Sequence, residues 1–239
     1  MNAKTMPHLN FDLDRYGLAS FDAVIVANGE QPRHPVPQTI LQRAPYVVCC
    51  DGAIAWNGRA DAIVGDGDSI PSWASEQFGG ILHVESEQAD NDLTKATRFC
   101  IQQGFRRLAY LGATGLREDH TLGNISLIMR YARELDVHPV MVTNYGWFEP
   151  VVGERGAGTP VMNDAGTVAA PFLRAFPSFP GQQVSLFNFG CRQLRTEGLL
   201  YDGYPFTQWW QGTLNEAAGD TFTIEADGDY LVFRTFEAK

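Results

Sequence analysis

The chain has little positive charge and no place where that charge gathers. Lysine and arginine number 18 against 28 aspartates and glutamates, a net charge of −10. Without a basic block there is no electrostatic footprint for nucleic acid, and none is expected as a partner. No apolar run comes near the roughly 18 residues that span a bilayer, and residues 1–20 hold no apolar signal core. No membrane partner is therefore expected, and the expected location is cytoplasmic. Cysteine is scarce: Cys49, Cys50, Cys100 and Cys191 are the four. Their spacing suits neither a zinc site nor a disulfide framework, so they are expected reduced and packed as small apolar groups. Internal repeats and low-complexity tracts are also missing. What remains is 239 residues, 44% hydrophobic and 19% charged. That is the composition of a globular protein with one large domain or two modest ones.

The first part of the chain alternates apolar runs with helical periodicity. Strands are predicted over 21–27, 46–50, 62–64, 81–84, 107–111 and 139–143. A short helix is predicted over 39–44, and Pro71 suits the first turn of another. The clearest helix is 90–103, with Leu93, Ala96, Cys100 and Ile101 on one face. Asp90 or Asn91 can cap it and Gly104 can end it. A long helix over 121–135 carries Leu122, Ile125, Ile128, Met129, Ala132 and Leu135 on one face. Alternating strand and helix imply a parallel sheet covered on both faces.

After about Asn144 the pattern changes. Gly, Pro and Thr become dense, and residues 151–160 read as loop. Short strands are predicted at 167–170, 184–189, 199–201, 221–225 and 230–236. Pro180-Gly181, Asp202-Gly203 and Asp227-Gly228 are turn signals between them, and Asp227-Gly228-Asp229 predicts a hairpin. This half reads as an antiparallel β-sandwich.

Carboxylates recur where the predicted strands end. Asp51 follows the second strand, and Asp66 and Asp68 follow the third within Gly65-Asp66-Gly67-Asp68-Ser69. Asp90 and Asp92 open the clearest helix, and Asp119 follows the loop Gly112-Ala113-Thr114-Gly115. In a parallel sheet such strand ends share one edge, where ligands bind. Five or six acids on one crevice repel unless a cation joins them, and hard oxygen ligands suit Mg2+. Lys95 and Arg117 add positive charge, and the glycine loop can offer backbone N–H groups to an anion. The set fits a nucleoside-triphosphate site for phosphoryl or diphosphoryl transfer.

Each signal also has a plain structural explanation. Asp-x-Asp can be a turn, and Asp90 and Asp92 can serve the helix dipole. Lys95 can be a solvated helix residue, Arg117-Glu118-Asp119 a surface salt bridge, and His120 a helix-start residue. The loop 112–115 matches neither a dinucleotide fingerprint nor a P-loop. The repeated placement of acids at strand ends is what favours chemistry.

These residues, in this order, resemble thiamine pyrophosphokinase. The shared pieces are Asp51-Gly52-Ala53, Gly65-Asp66-Gly67-Asp68-Ser69, Asp90-Asn91-Asp92-Leu93-Thr94-Lys95, and the run from Gly112 to His120, with Leu122 and Asn124 after it. The resemblance implies an α/β catalytic domain that binds ATP and Mg2+, residues 1–147, followed by a β-sandwich for thiamine binding and dimerisation, residues 148–239. It implies diphosphoryl transfer from ATP to thiamine, giving AMP and thiamine diphosphate, by a homodimer whose thiamine site uses both subunits. Asp66, Asp68 and Asp92 would bind metal and join Asp119 in catalysis, Asp92 being a candidate base. Asp51, Gly52, Ser69, Gln88, Thr94, Lys95, Gly112 and Arg117 would hold ATP and its phosphates.

The second half departs from the family pattern. Gly198-Leu199-Leu200-Tyr201 stands where the family carries Gly-Leu-Lys-Trp, and Gly212-Thr213-Leu214-Asn215 where it carries a Ser-Asn pair. Tyr201, Thr213 and Asn215 are the candidate thiamine contacts, Tyr201 by stacking. Trp209 and Trp210 are either further contacts or core or dimer packing. Two other readings stand beside this one. One is a metal-dependent phosphohydrolase with Asp66 of Asp66-x-Asp68 as nucleophile; the other is a catalytically silent nucleotide- or thiamine-binding protein.

Overall fold

A computed structural model describes residues 12–68, 70–85, 87, 89–153 and 171–239, the side chain of Ser75 excepted. Ser69, Gln88, the predicted strand 167–170 and most of the predicted loop 151–160 lie outside them. The chain forms two compact units, one of residues 1–121 with 142–144, the other of residues 122–141 with 145–239.

The first unit is built on five parallel strands: β1 (Ala23–Val26), β2 (Val47–Cys50), β3 (Ala62–Gly65), β4 (Leu82–Val84) and β5 (Arg107–Leu111). Their order is β4-β3-β2-β1-β5, every pair parallel. All residues of β1, β2 and β3 are buried. That is why these strands read as unbroken apolar runs rather than as alternation. The four cysteines are reduced and buried. Burial pushes Cys49 up to about 11 and Cys100 and Cys191 to about 12, so all three stay thiols at neutral pH.

The helices start where backbone chemistry lets them. The first, α1 (Pro35–Arg43), begins four residues before the predicted start, because Pro35 occupies a first-turn position whose N–H would go unpaired. His34 caps it, its Nδ1 accepting from Val36 N–H at 3.2 Å. A single-turn α2 (Ile54–Asn57) follows β2. Pro71 stands just outside α3 (Ser72–Phe78), with φ −60° and ψ 142°, rather than in its first turn. In α4 (Asp92–Gln102) the cap is Asn91, whose Oδ1 accepts from Thr94 N–H at 3.0 Å. Gly104, at φ +87°, closes its far end, with Phe105 N–H returning to the Cys100 carbonyl at 3.0 Å. The long helix α5 (Glu118–Glu134) starts three residues early. Leu122 is 55% exposed despite its place in the predicted apolar face, while Tyr131, absent from that prediction, is fully buried.

The second unit holds two sheets. Strand β6 (His138–Val142) neighbours β7 (Gly146–Val151). Then come β8 (Phe172–Pro177), β9 (Gln182–Asn188), β10 (Leu194–Glu197), β11 (Asn215–Glu216), β12 (Thr221–Ala226) and β13 (Tyr230–Ala238). β7, β13, β9 and β11 pair antiparallel in that order. β10, β12 and β8 form a separate antiparallel sheet. Phe176, Phe222 and Ile224 from one sheet meet Val184, Leu186, Tyr230 and Val232 from the other in a shared core. The α/β sheet followed by a β-sandwich is thus the observed fold.

Three sequence expectations for this unit change. Residues 199–201 form no strand; Leu199 makes a single bridge to Ala217, and the strand lies earlier, at β10. Strands β7, β8 and β11 were not predicted. Asp227-Gly228-Asp229 is not a hairpin turn, because β12 and β13 belong to different sheets. Asp227 Oδ1 accepts from Arg192 N–H at 2.8 Å and Gln193 N–H at 2.9 Å. Asp229 accepts from Arg133 at 2.6 Å and from Gly153 N–H at 3.0 Å. The segment is a crossing between layers, fixed by its own carboxylates.

Candidate active site

The exits of β2, β3 and β5 and the start of α4 carry the candidate site. After β3 the chain turns at Gly65-Asp66-Gly67-Asp68. Asp66 Oδ1 accepts from Asp68 N–H at 3.1 Å, so the Asp-x-Asp is a turn as well as a pair of acids. Asp66 is half-buried and Asp68 exposed. Asp92, in the first turn of α4, has a side chain 36% exposed. Burial raises its pKa above the ordinary carboxylate value; Lys95 opposes the rise and Asp66 adds to it.

The remaining predicted acids have other partners. Asp90 binds Arg98 at 2.6 Å, in a cluster where Arg98 also meets Glu87 at 3.1 Å and Glu85 at 3.5 Å. Asp119 is gripped by Arg117 through two bonds, Nε–Oδ1 at 3.1 Å and Nη2–Oδ2 at 2.6 Å. That grip holds its carboxyl down at about 2. Both side chains are largely exposed, so the surface salt bridge foreseen for this segment is present. Asp51 is 3% exposed, and its two oxygens accept from Gly67 N–H at 3.3 and 3.2 Å.

Lys95 is not a solvated helix residue. It is 1% exposed, with Nζ 3.6 Å from Asp92 Oδ1. A lysine so deep faces the acids and not bulk water, and it offsets like-charge repulsion there. Thr94 is also buried, its Oγ1 bonded to Asn91 Oδ1 at 2.9 Å as part of the cap. Gly52 is buried in the turn after β2.

Gly112 shapes the loop after β5. A Cβ there would stand 2.5 Å from the Ala27 carbonyl, and its φ is +64°. The loop runs along the exit of β1: Gly29 N–H donates to Gly112 O at 2.6 Å and Glu30 N–H to Thr114 O at 2.8 Å. Beside it Asn28, Gly29, Glu30, Gln31, Pro32, Arg33, Trp56 and Leu116 line an open cleft of about 400 Å³. Trp56 Nε1 is buried with no hydrogen-bond partner among the described residues. None of these residues was a sequence candidate, although Asn28-Gly29, a polar residue and glycine after a buried strand, was the available signal.

In the second unit Asn215 is 6% exposed and holds the backbone of residue 201 from both sides. Its Oδ1 accepts from Tyr201 N–H at 3.1 Å and its Nδ2 donates to Tyr201 O at 2.8 Å. The Tyr201 ring itself is 67% exposed. Thr213 Oγ1 donates to the Trp210 carbonyl at 2.7 Å. Trp209 and Trp210 are exposed, which removes the core alternative for them. No group of three or more His, Cys, Asp or Glu side chains stands ready to hold a metal among the described residues.

Two family models match the chain. The thiamin pyrophosphokinase catalytic domain matches residues 37–138. The thiamin pyrophosphokinase substrate-binding domain matches residues 168–233. Together they take in well over half of the sequence. No curated protein matches the chain. Among solved structures the fold is similar to yeast thiamin pyrophosphokinase, with TM-score 0.69 at 14% identity, covering 98% of this chain and 93% of that one. It is similar to the Bacillus subtilis thiamine pyrophosphokinase, TM-score 0.68 at 16% identity, covering 89% and 98%. The Candida albicans thiamin pyrophosphokinase gives TM-score 0.68 at 13% identity, covering 94% and 91%. At these identities the structures speak for the fold, and the two family models for the rest. The chain belongs to the thiamin pyrophosphokinase family, and thiamin pyrophosphokinase is its activity.

Proposed function

We propose that the chain transfers a diphosphoryl group from ATP to the hydroxyl of thiamine, releasing AMP, with Mg2+ bound at the exits of β3 and the start of α4. The observation that carries this reading is the placement of Asp66 at the exit of β3 and of Asp92 in the first turn of α4, with the buried Lys95 Nζ 3.6 Å from Asp92 Oδ1. Residues 1–147 would supply the ATP and metal site and residues 148–239 the thiamine site and dimer contacts of a cytoplasmic homodimer.

The donor set suits magnesium. This ion is usually held by one or two carboxylates together with substrate phosphates and waters, not by an all-protein cage. Asp66 and Asp92 would be those carboxylates, with Asp68 beside them. When bound, the ion would neutralise the charge that builds on the phosphates during transfer. The chain's own groups do the rest. Lys95 holds Asp92 in place from below. Arg117 is exposed enough to leave Asp119 for a phosphate, and the glycine loop offers a close backbone approach. Asp92, the candidate base, stands in the first turn of α4 beside Lys95, where it would receive the thiamine hydroxyl proton. In the second unit the exposed Tyr201 ring is the candidate stacking surface, and Thr213 and Asn215 set the backbone around it.

Incubation with ATP, Mg2+ and thiamine should yield AMP and thiamine diphosphate. Asp66→Asn and Asp92→Asn should each lower turnover about 100- to 1,000-fold, on the scale of losing a principal electrostatic group, with an unchanged circular dichroism spectrum. Near-normal turnover in either variant would sink the site. ADP in place of AMP would mark an ordinary kinase, and hydrolysis of phosphate esters without ATP would return the phosphohydrolase reading.

A further inference from the structure

Asp51 is the first residue beyond β2, at φ +24°. Residues other than glycine seldom adopt positive φ, and those that do are held there by their surroundings. What holds Asp51 is the turn after the neighbouring strand. β2 and β3 pair with Cys50 opposite Val64, which brings Asp51 beside Gly65. A Cβ on Gly65 would lie 2.0 Å from Asp51 Oδ1 and 2.4 Å from its Cγ. Only glycine leaves room for the carboxylate. Gly67 is a glycine for a different reason: space around it is open, with Val84 methyl carbons no nearer than 3.9 Å, but its φ is +89°. Its N–H donates to the Asp51 carboxylate.

We propose that Asp51 is a positioning residue, whose buried carboxylate pins the backbone of Gly67 and thereby sets the directions of Asp66 and Asp68. The proposal rests on the metal-binding reading for what that turn does. At 3% exposure Asp51 offers no surface to a phosphate, whereas a buried carboxylate must find hydrogen-bond donors. The strained backbone, the glycine required at 65 and the amide at 67 are parts of one arrangement. Holding that amide fixes the backbone from which the two acids on either side of Gly67 project. Asp51 therefore acts through the turn and touches no substrate.

The test uses the full chain and Mn2+ alone as probe, with affinity read by electron paramagnetic resonance and exchange of the Gly67 amide read by NMR. Asp51→Gly keeps the positive φ without strain but removes the acceptor; it should weaken Mn2+ binding about 10- to 100-fold, the usual scale for removing a group that orients a ligand, and speed Gly67 exchange. Asp51→Asn keeps an acceptor oxygen and tolerates positive φ, so it should stay within about threefold of the parent protein in Mn2+ affinity, with Gly67 still protected. If Asp51→Asn falls as far as Asp51→Gly, the charge itself contacts the ligand and the proposal is overturned. Unchanged affinity and unchanged Gly67 exchange in Asp51→Gly overturn it as well. Should the parent protein bind no Mn2+, or Asp66→Asn bind it equally well, the metal reading fails, while Gly67 exchange still decides whether Asp51 pins the turn.

Discussion

Both units bury charge, and they do so to different ends. In the second unit Arg234 is 2% exposed, inside the sandwich. Its guanidinium bonds Glu149, donates to the Pro177 carbonyl at 3.0 Å, and lies over the Trp147 ring at 4.6 Å and the Phe176 ring at 5.2 Å. Arg174 reaches the same glutamate at 3.4 Å. Burial lowers the Arg234 pKa and Glu149 opposes that shift. Here one carboxylate stands between two guanidiniums. In the first unit Asp92 has Lys95 on one side and a like-charged Asp66 on the other, and its side chain keeps a third of its surface exposed. The closed network keeps the Arg234 charge within the sandwich; the open one, at Asp92, is where a cation is proposed to bind.

The largest expected effect lies in the closed network. Glu149→Ala strands the Arg234 cation in the sandwich and should destabilise the fold by about 3–5 kcal/mol, the range for breaking a buried ion pair from one side. Glu149→Leu with Arg234→Met should recover most of that loss, since a well-packed apolar replacement is often neutral. Urea unfolding of the three proteins checks both statements; a double variant as unstable as Glu149→Ala would mean that the pair does more than satisfy itself. The open network should behave in the opposite way. Lys95→Met, also an apolar replacement of a buried cation, should cost about 10- to 100-fold in metal affinity, because it removes the group that orients Asp92. Thermal melting should shift by only a few degrees, roughly what a 1 kcal/mol change gives in a chain of this size. A variant that melts far lower yet, while folded, binds Mn2+ normally would make Lys95 a structural ion after all.

The same division explains what the sequence disclosed. Unbroken apolar runs rich in β-branched residues in the first unit, such as Val24-Ile25-Val26 and Val47-Val48-Cys49, fit strands buried on both faces, and the acid after the second, Asp51, was visible at once. Which acids share a site was not visible, because that depends on side-chain partners set by folding. Arg98, in α4, claims Asp90 from eight residues away, a pairing with no periodicity to read, whereas the Arg117–Asp119 bridge was legible from the closeness of the two residues in the chain. In the second unit β10 alternates buried Leu194 with exposed Arg195. β8 is exposed at Leu173 and Arg174 and buried at Phe176. Such short, half-wet strands carry too few apolar residues to separate from loop. The Asp227 turn failed for a plain reason: an Asp-Gly between strands marks a chain reversal and does not say whether the strands rejoin in one sheet.

A smaller effect tests how firmly α4 presents Asp92. Asn91→Ala removes the side chain that accepts from Thr94 N–H and should cost about 1 kcal/mol, the usual worth of an N-cap. Asp92 sits one residue inside that cap, so Mn2+ affinity should fall alongside stability. Asn91→Asp, which keeps the acceptor, should restore both. Loss of stability without loss of affinity would show that Lys95 alone fixes Asp92.

The smallest effect concerns Asp119, whose carboxyl titrates at about 2 because Arg117 grips it. A carboxylate with a depressed pKa gains from its partner only above the unfolded value, and the gain disappears as pH falls through the folded one. Between pH 5 and pH 9 the pair should therefore contribute no pH dependence to stability or turnover. Arg117→Ala should move the Asp119 titration back toward the ordinary carboxylate range near 4 in carbon-detected NMR, and thermal melting should not change, since both side chains stand in solvent. Addition of a phosphate-bearing nucleotide to the parent protein should produce the same upward movement if Arg117 transfers its grip from Asp119 to a phosphate. An Asp119 titration that ignores the nucleotide would keep Arg117 in the surface salt bridge and out of the reaction.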